Sequence, residues 1–98
     1  MKLIFDWDEE KARRNRSKHK VSFDEARTTF KDPFLVTFPD EYHSHEEERF
    51  ISIGTSSKNR VILAVHMEYQ EDDAIVIRFI NARNVTPSER EIYERKKV

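Results

Sequence analysis

The chain has 98 residues, with one glycine, three prolines and no cysteine. This length allows a single hydrophobic core, and the lack of cysteine excludes disulfides and thiolate metal sites, which favours a reducing cytoplasm. The formal net charge is −1, yet residues 11–20 contain six cations and no carboxylate. No segment approaches the roughly 20 apolar residues of a membrane span, so we predict one soluble, untargeted, cytoplasmic domain over residues 1–98.

The basic block over residues 11–20 has two interpretations. Its local positive field can concentrate a phosphate polymer at the surface. Alternatively, it is a solvated helix face whose acidic start at residues 8–10 suits the helix dipole. The charges alone favour neither interpretation.

The first third of the chain is predicted to hold a short strand and two helices. The apolar residues 3–5 indicate the strand, after which Asp8 can cap a helix that ends near His19. Ser22 and Glu25 form a capping-box pattern, which predicts a second helix over residues 23–31.

The rest of the chain is predicted to be mainly β-structure. A strand over residues 34–38 leads into an acidic loop, and three strands near residues 48–55, 60–69 and 74–83 are separated by turns short enough for hairpins. A second capping box at Thr86 and Glu89 begins a last helix, with Ile92 and Tyr93 directed inward. This order predicts an α+β fold with a mainly antiparallel sheet.

Strand alternation predicts a polar row across the sheet. If Gln70 pairs with Ala74, His66 lies opposite Arg78, and if Thr55 pairs with Arg60, Arg49 lies opposite His66. Two arginines beside an imidazole can hold a phosphate while the imidazole transfers a proton. The same row could instead anchor the acidic loop through ion pairs with Glu46 or Glu48.

Metal and cofactor sites are not expected. His43 and His45 can chelate as neighbours on an extended loop, but no third ligand is evident, which favours a solvated loop over a metal site. With Gly54 as the one glycine, neither a phosphate-binding loop nor a dinucleotide fingerprint occurs. We therefore expect no metal and no nucleotide cofactor.

Motifs along nearly the whole chain resemble the BrnT family of toxins. They are Phe5-Asp6-Trp7-Asp8-Glu9-Glu10-Lys11-Ala12, Asn15, Lys18-His19-Lys20-Val21-Ser22-Phe23-Asp24-Glu25-Ala26, Phe30-Lys31-Asp32-Pro33, Glu48-Arg49-Phe50 to Gly54, His66, Ile77-Arg78, Asn81-Ala82-Arg83 and Glu89-Arg90-Glu91-Tyr93. As a set these motifs are specific, although each is weak alone. The family usually has glycine where this chain has Lys20.

The resemblance implies a RelE-like ribonuclease toxin of a type II toxin-antitoxin pair. It implies metal-independent cleavage of RNA, presumed to be mRNA, through the substrate's own 2′-hydroxyl. It also implies inhibition of translation and growth until a BrnA-like antitoxin, which carries the DNA-binding domain, neutralises the toxin in a hetero-oligomer. The alternatives are a non-catalytic RNA-binding module and a protein-interaction module.

The candidate site residues combine the polar row with that resemblance. His19 or His66 would transfer the proton, three arginines would hold the phosphate, and Tyr93 would be a supporting donor. The arginines are Arg49, Arg78 and Arg83, and the candidate RNA-binding cations are Lys11, Arg14 and Lys18. Structural alternatives exist for three of them: Tyr93 as a core aromatic, His19 as a cation at the helix end, and Arg83 as the partner of Glu89.

Overall fold

The computed structural model describes residues 2–43 and 47–97, which form five strands, three α-helices and one 3-10 turn. In chain order they are β1 (Lys2–Asp6), α1 (Glu9–His19), α2 (Phe23–Thr28), the 3-10 turn (Thr29–Lys31), β2 (Val36–Pro39), β3 (Phe50–Thr55), β4 (Val61–Glu71), β5 (Ala74–Asn84) and α3 (Pro87–Lys97). This order confirms the predicted α+β class.

Helix α1 begins and ends where its capping residues predict. Asp8 Oδ1 accepts the backbone N–H of Glu10 at 2.8 Å, and this contact satisfies a donor that the first helical turn leaves free. At the other end Lys20 adopts a left-handed conformation with φ 60°, and its N–H bonds the carbonyl of Arg16. A lysine thus occupies a conformation that glycine would take at lower cost.

The capping box predicted for α2 forms only in part. Ser22 Oγ accepts the Glu25 N–H at 3.0 Å. The Glu25 carboxylate, however, turns away to Ser56 and Arg60, where it accepts the Ser56 hydroxyl at 2.7 Å and Arg60 Nε at 2.9 Å. The predicted single helix over residues 23–31 is likewise split, because α2 ends at Thr28 and a 3-10 turn continues the chain.

The second capping box, at the start of α3, forms in full. Thr86 N–H donates to Glu89 Oε1 at 2.8 Å, and Glu89 N–H donates to Thr86 Oγ1 at 3.3 Å. Tyr93 lies inward at 2% exposure, as predicted, whereas the inward prediction for Ile92 is wrong because that side chain is 44% exposed.

The strands form one mixed sheet with the order β1-β5-β4-β3-β2. The predicted antiparallel meander of β3, β4 and β5 is confirmed, and β2 adds an antiparallel edge. Strand β1 pairs in parallel with β5, from Lys2 beside Ala74 to Asp6 beside Arg78. The parallel pair places the start of the chain beside the last hairpin.

Apolar residues pack on both faces of the sheet. On the face that carries α1 and α2, hereafter the helical face, the core contains Val21, Phe23, Ala26, Ile62, Ala64, Ile77, Phe79 and Ala82. On the opposite face, hereafter the α3 face, Tyr93 packs with Ile53, Val61 and Leu63. Helix α1 contributes little apolar area to this core, since Ala12 is its one apolar residue packed there.

Both predicted hairpin registers are wrong by one residue. Thr55 pairs with Val61 rather than Arg60, so Phe50 and not Arg49 lies opposite His66. A pairing of Thr55 with Arg60 would also place Ile53 opposite Ile62 and Ile51 opposite Ala64. Instead, Ile53 pairs with Leu63 and Ile51 with Val65.

In the last hairpin Glu71 pairs with Ala74, and a two-residue turn replaces the predicted three-residue loop. His66 therefore lies opposite Phe79, and Met67 lies opposite Arg78. A pairing of Gln70 with Ala74 would also place Val65 opposite Phe79, Met67 opposite Ile77 and Tyr69 opposite Ile75, and none of these pairs forms.

These registers remove the predicted polar row. Because side chains alternate between the two faces, His66 lies on the helical face and Arg78 on the α3 face. Farther along β5, a bulge leaves Ile80 without a ladder partner on β4, since His66 pairs with Phe79 and Val65 pairs with Asn81. The bulge keeps both Phe79 and Ala82 on the helical face.

Candidate functional site

The edge of β5 that faces away from β4 has two hydrogen-bonding partners along its length. Strand β1 pairs with β5 only as far as Arg78. Farther along, the side chain of Asn15 in α1 takes over: its amide donates to the Ala82 carbonyl at 2.8 Å and its oxygen accepts the Ala82 N–H at 3.1 Å. The same amide donates to the carbonyl of Val21 at 3.0 Å. Helix α1 is therefore held against the sheet by a buried polar side chain.

A shallow groove of about 270 Å³ lies between α1 and this edge of β5. Its lining is Lys11, Arg14, Asn15, Lys18, His19, Ile80 and Asn81. The three candidate RNA-binding cations share one helix face because they are spaced by three and four residues. We call this surface the α1–β5 groove. It brings the predicted cations together with one of the two candidate histidines.

His19 is the imidazole in this groove, and it is half-buried at the last turn of α1. Partial burial lowers the pKa of His19 below its ordinary value, with further lowering from the charges of Lys18 and Arg83. Its imidazole is therefore neutral at neutral pH and can accept a proton. Arg83 itself does not line the groove: it lies opposite Leu63, on the α3 face of β5, and its charge acts on His19 from there.

Arg83 is held by a two-pronged ion pair. Its Nη1 and Nη2 donate to the two carboxylate oxygens of Glu89 at 2.8 and 2.9 Å. The Arg83 guanidinium lowers the pKa of Glu89 to about 2. The predicted Arg83–Glu89 pair is thus present, and it fixes the direction of the guanidinium at the end of β5.

The second candidate histidine, His66, is enclosed in the core. It has 0% exposure, and its Nε2 is hydrogen-bonded to the Ser52 hydroxyl at 2.7 Å. The aromatic rings of Phe30, Phe50 and Phe79 lie within 6.3 Å, measured between ring centroids. Burial lowers the pKa of His66 to about 4. No surface of this imidazole is open to an RNA phosphate.

The remaining candidate residues lie apart from the α1–β5 groove lining. Arg78 donates to Asp6 across the β1–β5 pair, and Arg49 Nη2 donates to Glu47 at 3.2 Å. Glu46, one of the predicted acidic partners, lies outside the described residues. The structure thus brings Lys11, Arg14, Lys18 and His19 together with Arg83 close by, but not the complete predicted set.

Tyr93, one turn beyond Glu89 in α3, forms hydrogen bonds through its hydroxyl. Its hydroxyl donates to Asp32 and accepts from the Thr55 hydroxyl, which lies 2.8 Å away. Asp32 also accepts the N–H of Thr55 at 2.8 Å and that of Phe34 at 2.9 Å. Burial, followed by the bond to Asp32, raises the pKa of Tyr93. These contacts tie α3 to the loop before β2.

The acidic loop carries the two histidines that were considered as a metal site. His43 Nδ1 lies 3.0 Å from the Asp40 carboxylate, whereas His45 lies outside the described residues. Within residues 2–43 and 47–97, no group of three histidine, aspartate or glutamate side chains has metal-binding geometry.

Sequence reasoning missed the contacts of three polar residues that join elements of the fold. Asn15 holds α1, Glu25 joins Arg60 to the second helix, and Asp32 receives Tyr93. An asparagine inside a helix is a weak signal of such a contact, because its side chain otherwise competes with helical hydrogen bonding. A buried carboxylate has no comparable sequence pattern.

Comparison with known proteins gives a family and a fold. Residues 7–89 match the family model described as ribonuclease toxin, BrnT, of type II toxin-antitoxin system. The crystal structure of the Brucella abortus ribonuclease toxin BrnT is similar with a TM-score of 0.59 at 20% identity, over 88% of this chain and 99% of that chain. At that identity the structural similarity shows the fold alone. A search of curated proteins found no match.

None of the helices described has the length and apolar character to span a membrane. The family model covers most of the chain, including α1, strands β2 to β5 and the start of α3. The chain therefore belongs to the BrnT family of ribonuclease toxins of type II toxin-antitoxin systems.

Proposed function

We propose that this protein cleaves RNA in the α1–β5 groove, with His19 as the proton-transfer group and Arg83 as the phosphate-binding group. One observation carries the proposal: the lining combines Lys11, Arg14 and Lys18 with the half-buried imidazole of His19. Three cations on one helix face attract the RNA backbone, and a neutral imidazole beside them can act as a base.

The proposed reaction uses the substrate's own 2′-hydroxyl as nucleophile. His19 accepts the hydroxyl proton while the 2′-oxygen forms a bond to the adjacent phosphorus. The bond from phosphorus to the 5′-oxygen breaks, and the 5′-oxygen receives the proton back from the imidazolium. Arg83 counters the negative charge that develops on the phosphoryl oxygens. The products are a 2′,3′-cyclic phosphate and a free 5′-hydroxyl.

Metal-independent cleavage is part of the proposal. Support comes from the charge of the groove, since its ionisable lining residues are three cations and one imidazole. Such a lining repels a divalent cation, and the arginine and lysines supply the positive charge that a metal would otherwise contribute.

The other candidate residues receive different roles. His66 packs within the core and Tyr93 joins α3 to Asp32, so we assign both to stability. Arg78 pairs with Asp6 and, unlike Arg83, is not among the charges that act on the His19 imidazole, so we place it outside the reaction. Arg49 precedes β3 beside the acidic loop, and we place it outside the reaction as well.

We further propose that the RNA is mRNA in the cytoplasm and that a BrnA-like antitoxin with its own DNA-binding domain forms a hetero-oligomer with this chain. The family assignment supports an antitoxin partner and an RNA target. An antitoxin that covers the basic face of α1 would block the α1–β5 groove directly.

Expression in growing cells tests this function. We expect the wild-type chain to arrest growth and a co-expressed cognate antitoxin to restore it, while His19→Gln abolishes the arrest. The control is Lys96→Gln, an exposed change in α3 that should retain full toxicity. Unimpaired growth at high soluble expression of the wild type would contradict the proposal.

A further inference from the structure

Helix α1 has a second cationic face that the α1–β5 groove does not use. Arg13 and Arg16 are three residues apart in α1, and at about 100° per residue they point roughly opposite to Lys11 and Lys18. Lys20 follows the last helical residue. A polar cleft of about 470 Å³ on this side is lined by Arg13, Arg16, Ser17, Lys20 and Lys58. Lys58 comes from the turn between β3 and β4. No carboxylate lines this cleft.

The charges of this cleft are only partly compensated. Arg13 pairs with Glu10 at 2.6 Å, and Lys20 Nζ donates to the Ser17 carbonyl at 3.0 Å. Over the described ranges, no carboxylate lies within ion-pair distance of Arg16 or Lys58, and both side chains are exposed. Several cations that converge on one cleft repel each other unless an anion is bound between them.

An aromatic pocket adjoins the cationic cleft. This pocket of about 330 Å³ shares Arg13 and Arg16 with the cleft and extends to Trp7. The indole is supported edge-on by the ring of Phe23, with centroids 5.9 Å apart. Glu9, Ser22 and Asp24 also line the pocket, and the Trp7 indole N–H donates to Glu9 at 3.1 Å. Their oxygens can accept hydrogen bonds from the amino group of a base.

We propose that these two connected cavities, hereafter the far-side cleft, are a second binding site for single-stranded RNA. Arg16, Lys20 and Lys58 bind backbone phosphates, and a base packs against Trp7. Cations along a strand combined with an aromatic platform are the usual means of binding single-stranded nucleic acid. The inference rests on the proposed function, because one RNA would cross α1 from the α1–β5 groove.

The geometry gives the far-side cleft a dependence on RNA length. An α-helix with its side chains is about 10–12 Å wide, so a short oligonucleotide occupies only one side of α1. An RNA of about four nucleotides would use the α1–β5 groove alone, whereas one of about 16 nucleotides would reach both sites. The far-side cleft therefore increases affinity for long RNA and leaves the chemical step unchanged.

Binding of 2′-O-methyl RNA, which lacks the nucleophile, tests this site without cleavage. The test variant is Arg16→Gln/Lys20→Gln/Lys58→Gln, and the charge-matched control is Lys2→Gln/Lys31→Gln/Lys96→Gln. For a single strand, each phosphate contact that is lost reduces the magnitude of the slope of log affinity against log salt concentration by about 0.7. We therefore expect the magnitude of this slope to fall by about 2 in the test variant and to stay unchanged in the control. Affinity for the 16-nucleotide RNA should fall at least about tenfold, and affinity for the four-nucleotide RNA should stay within about twofold.

Trp7 provides a direct reporter, because it is the only tryptophan in the chain. We expect the long RNA to quench its fluorescence in the wild type and in the control, but not in the test variant. An unchanged salt slope and unchanged quenching in the test variant would overturn the far-side cleft, as would loss of antitoxin binding with RNA binding intact.

Cleavage of unmodified RNA separates this inference from the proposed function. Cleavage by the wild type with no effect of the test variant on long-RNA binding would leave the function standing and reject the far-side cleft. The wild type could instead bind long RNA with a steeper salt dependence than the test variant and yet not cleave it. That result would support the far-side cleft as a binding site and reject the proposed catalysis.

Discussion

Asn15 and Ala82 are joined by two hydrogen bonds between a side-chain amide and a strand backbone. The amide of Asn15 thus occupies the position that another strand would take, where β1 has already ended at Asp6. An unpaired backbone N–H or carbonyl in this buried position would be costly. The contact both closes the sheet edge and sets the distance between α1 and β5, and so the width of the α1–β5 groove.

Replacement of Asn15 by alanine should therefore destabilise the protein. Two buried backbone groups at Ala82 would lose their partner, at about 1–3 kcal/mol each, so we expect a loss of about 2–6 kcal/mol in the free energy of unfolding. Urea denaturation measures this loss. The control Ser17→Ala, on the exposed side of the same helix, should change stability by less than about 0.5 kcal/mol. Equal effects of the two changes would contradict the role of Asn15.

His66 should make stability depend on pH. Its pKa is lowered from 6.5 to about 4, so the folded state excludes a proton that the unfolded state binds. The free energy of unfolding should be highest above pH 6.5 and should fall by about 3 kcal/mol as the pH falls to about 4. Burial also raises the pKa of nearby Glu68. The difference in the free energy of unfolding between the wild type and His66→Gln separates the contribution of His66 from that of Glu68. A difference that does not vary with pH would contradict the enclosed, neutral histidine.

Arg83 and Glu89 allow catalysis and structure to be separated. We expect Arg83→Ala to reduce cleavage at least about 100-fold, as for loss of a group that stabilises developing charge. Glu89→Gln keeps the acceptor for the Thr86 N–H but removes the carboxylate charge, so it should cost about 1 kcal/mol of stability without reducing cleavage. If Glu89→Gln reduced cleavage as much as Arg83→Ala, Arg83 would act only through the ion pair.

Tyr93→Phe tests whether this hydroxyl is structural. Its removal leaves Asp32 with its two backbone donors, so we expect a loss of about 1–2 kcal/mol of stability and cleavage within about threefold of the wild type. Thermal unfolding and a cleavage assay on the same preparation measure both effects. A loss of cleavage of about 100-fold at unchanged stability would restore Tyr93 as a catalytic donor.

The sequence predicted the elements of this fold because their signals are local. Asp8, Ser22 and Thr86 each cap the helix whose start they predict. The alternating apolar residues of β3, β4 and β5 predict the meander. Such signals depend on neighbours within one or two turns of chain, which the sequence displays directly.

The hairpin registers could not be predicted in the same way. In the last hairpin Asp72 adopts φ 55°, and this left-handed residue permits a two-residue turn where three loop residues were expected. Because the turn is one residue shorter than expected, His66 lies opposite Phe79 rather than Arg78. The bulge at Ile80 adds a second shift that no residue pattern indicates.

The candidate site was predictable only where it lies on one element. Lys11, Arg14, Lys18 and His19 share α1, so their helical spacing brings them together. Arg49, His66 and Arg78 lie on or beside three different strands, and their predicted meeting failed with the registers. The placement of Arg83 near His19 depends on the β5 edge and on Asn15, a long-range contact.

Cleavage of a defined RNA by purified protein in the presence of EDTA tests the central claim most directly. We predict products that end in a 2′,3′-cyclic phosphate, a loss of at least about 100-fold in His19→Gln, and a change of less than about tenfold in His66→Gln under conditions where both variants are folded. Intact RNA with the wild type, or equal cleavage by wild type and His19→Gln, would contradict the proposed catalytic site in the α1–β5 groove.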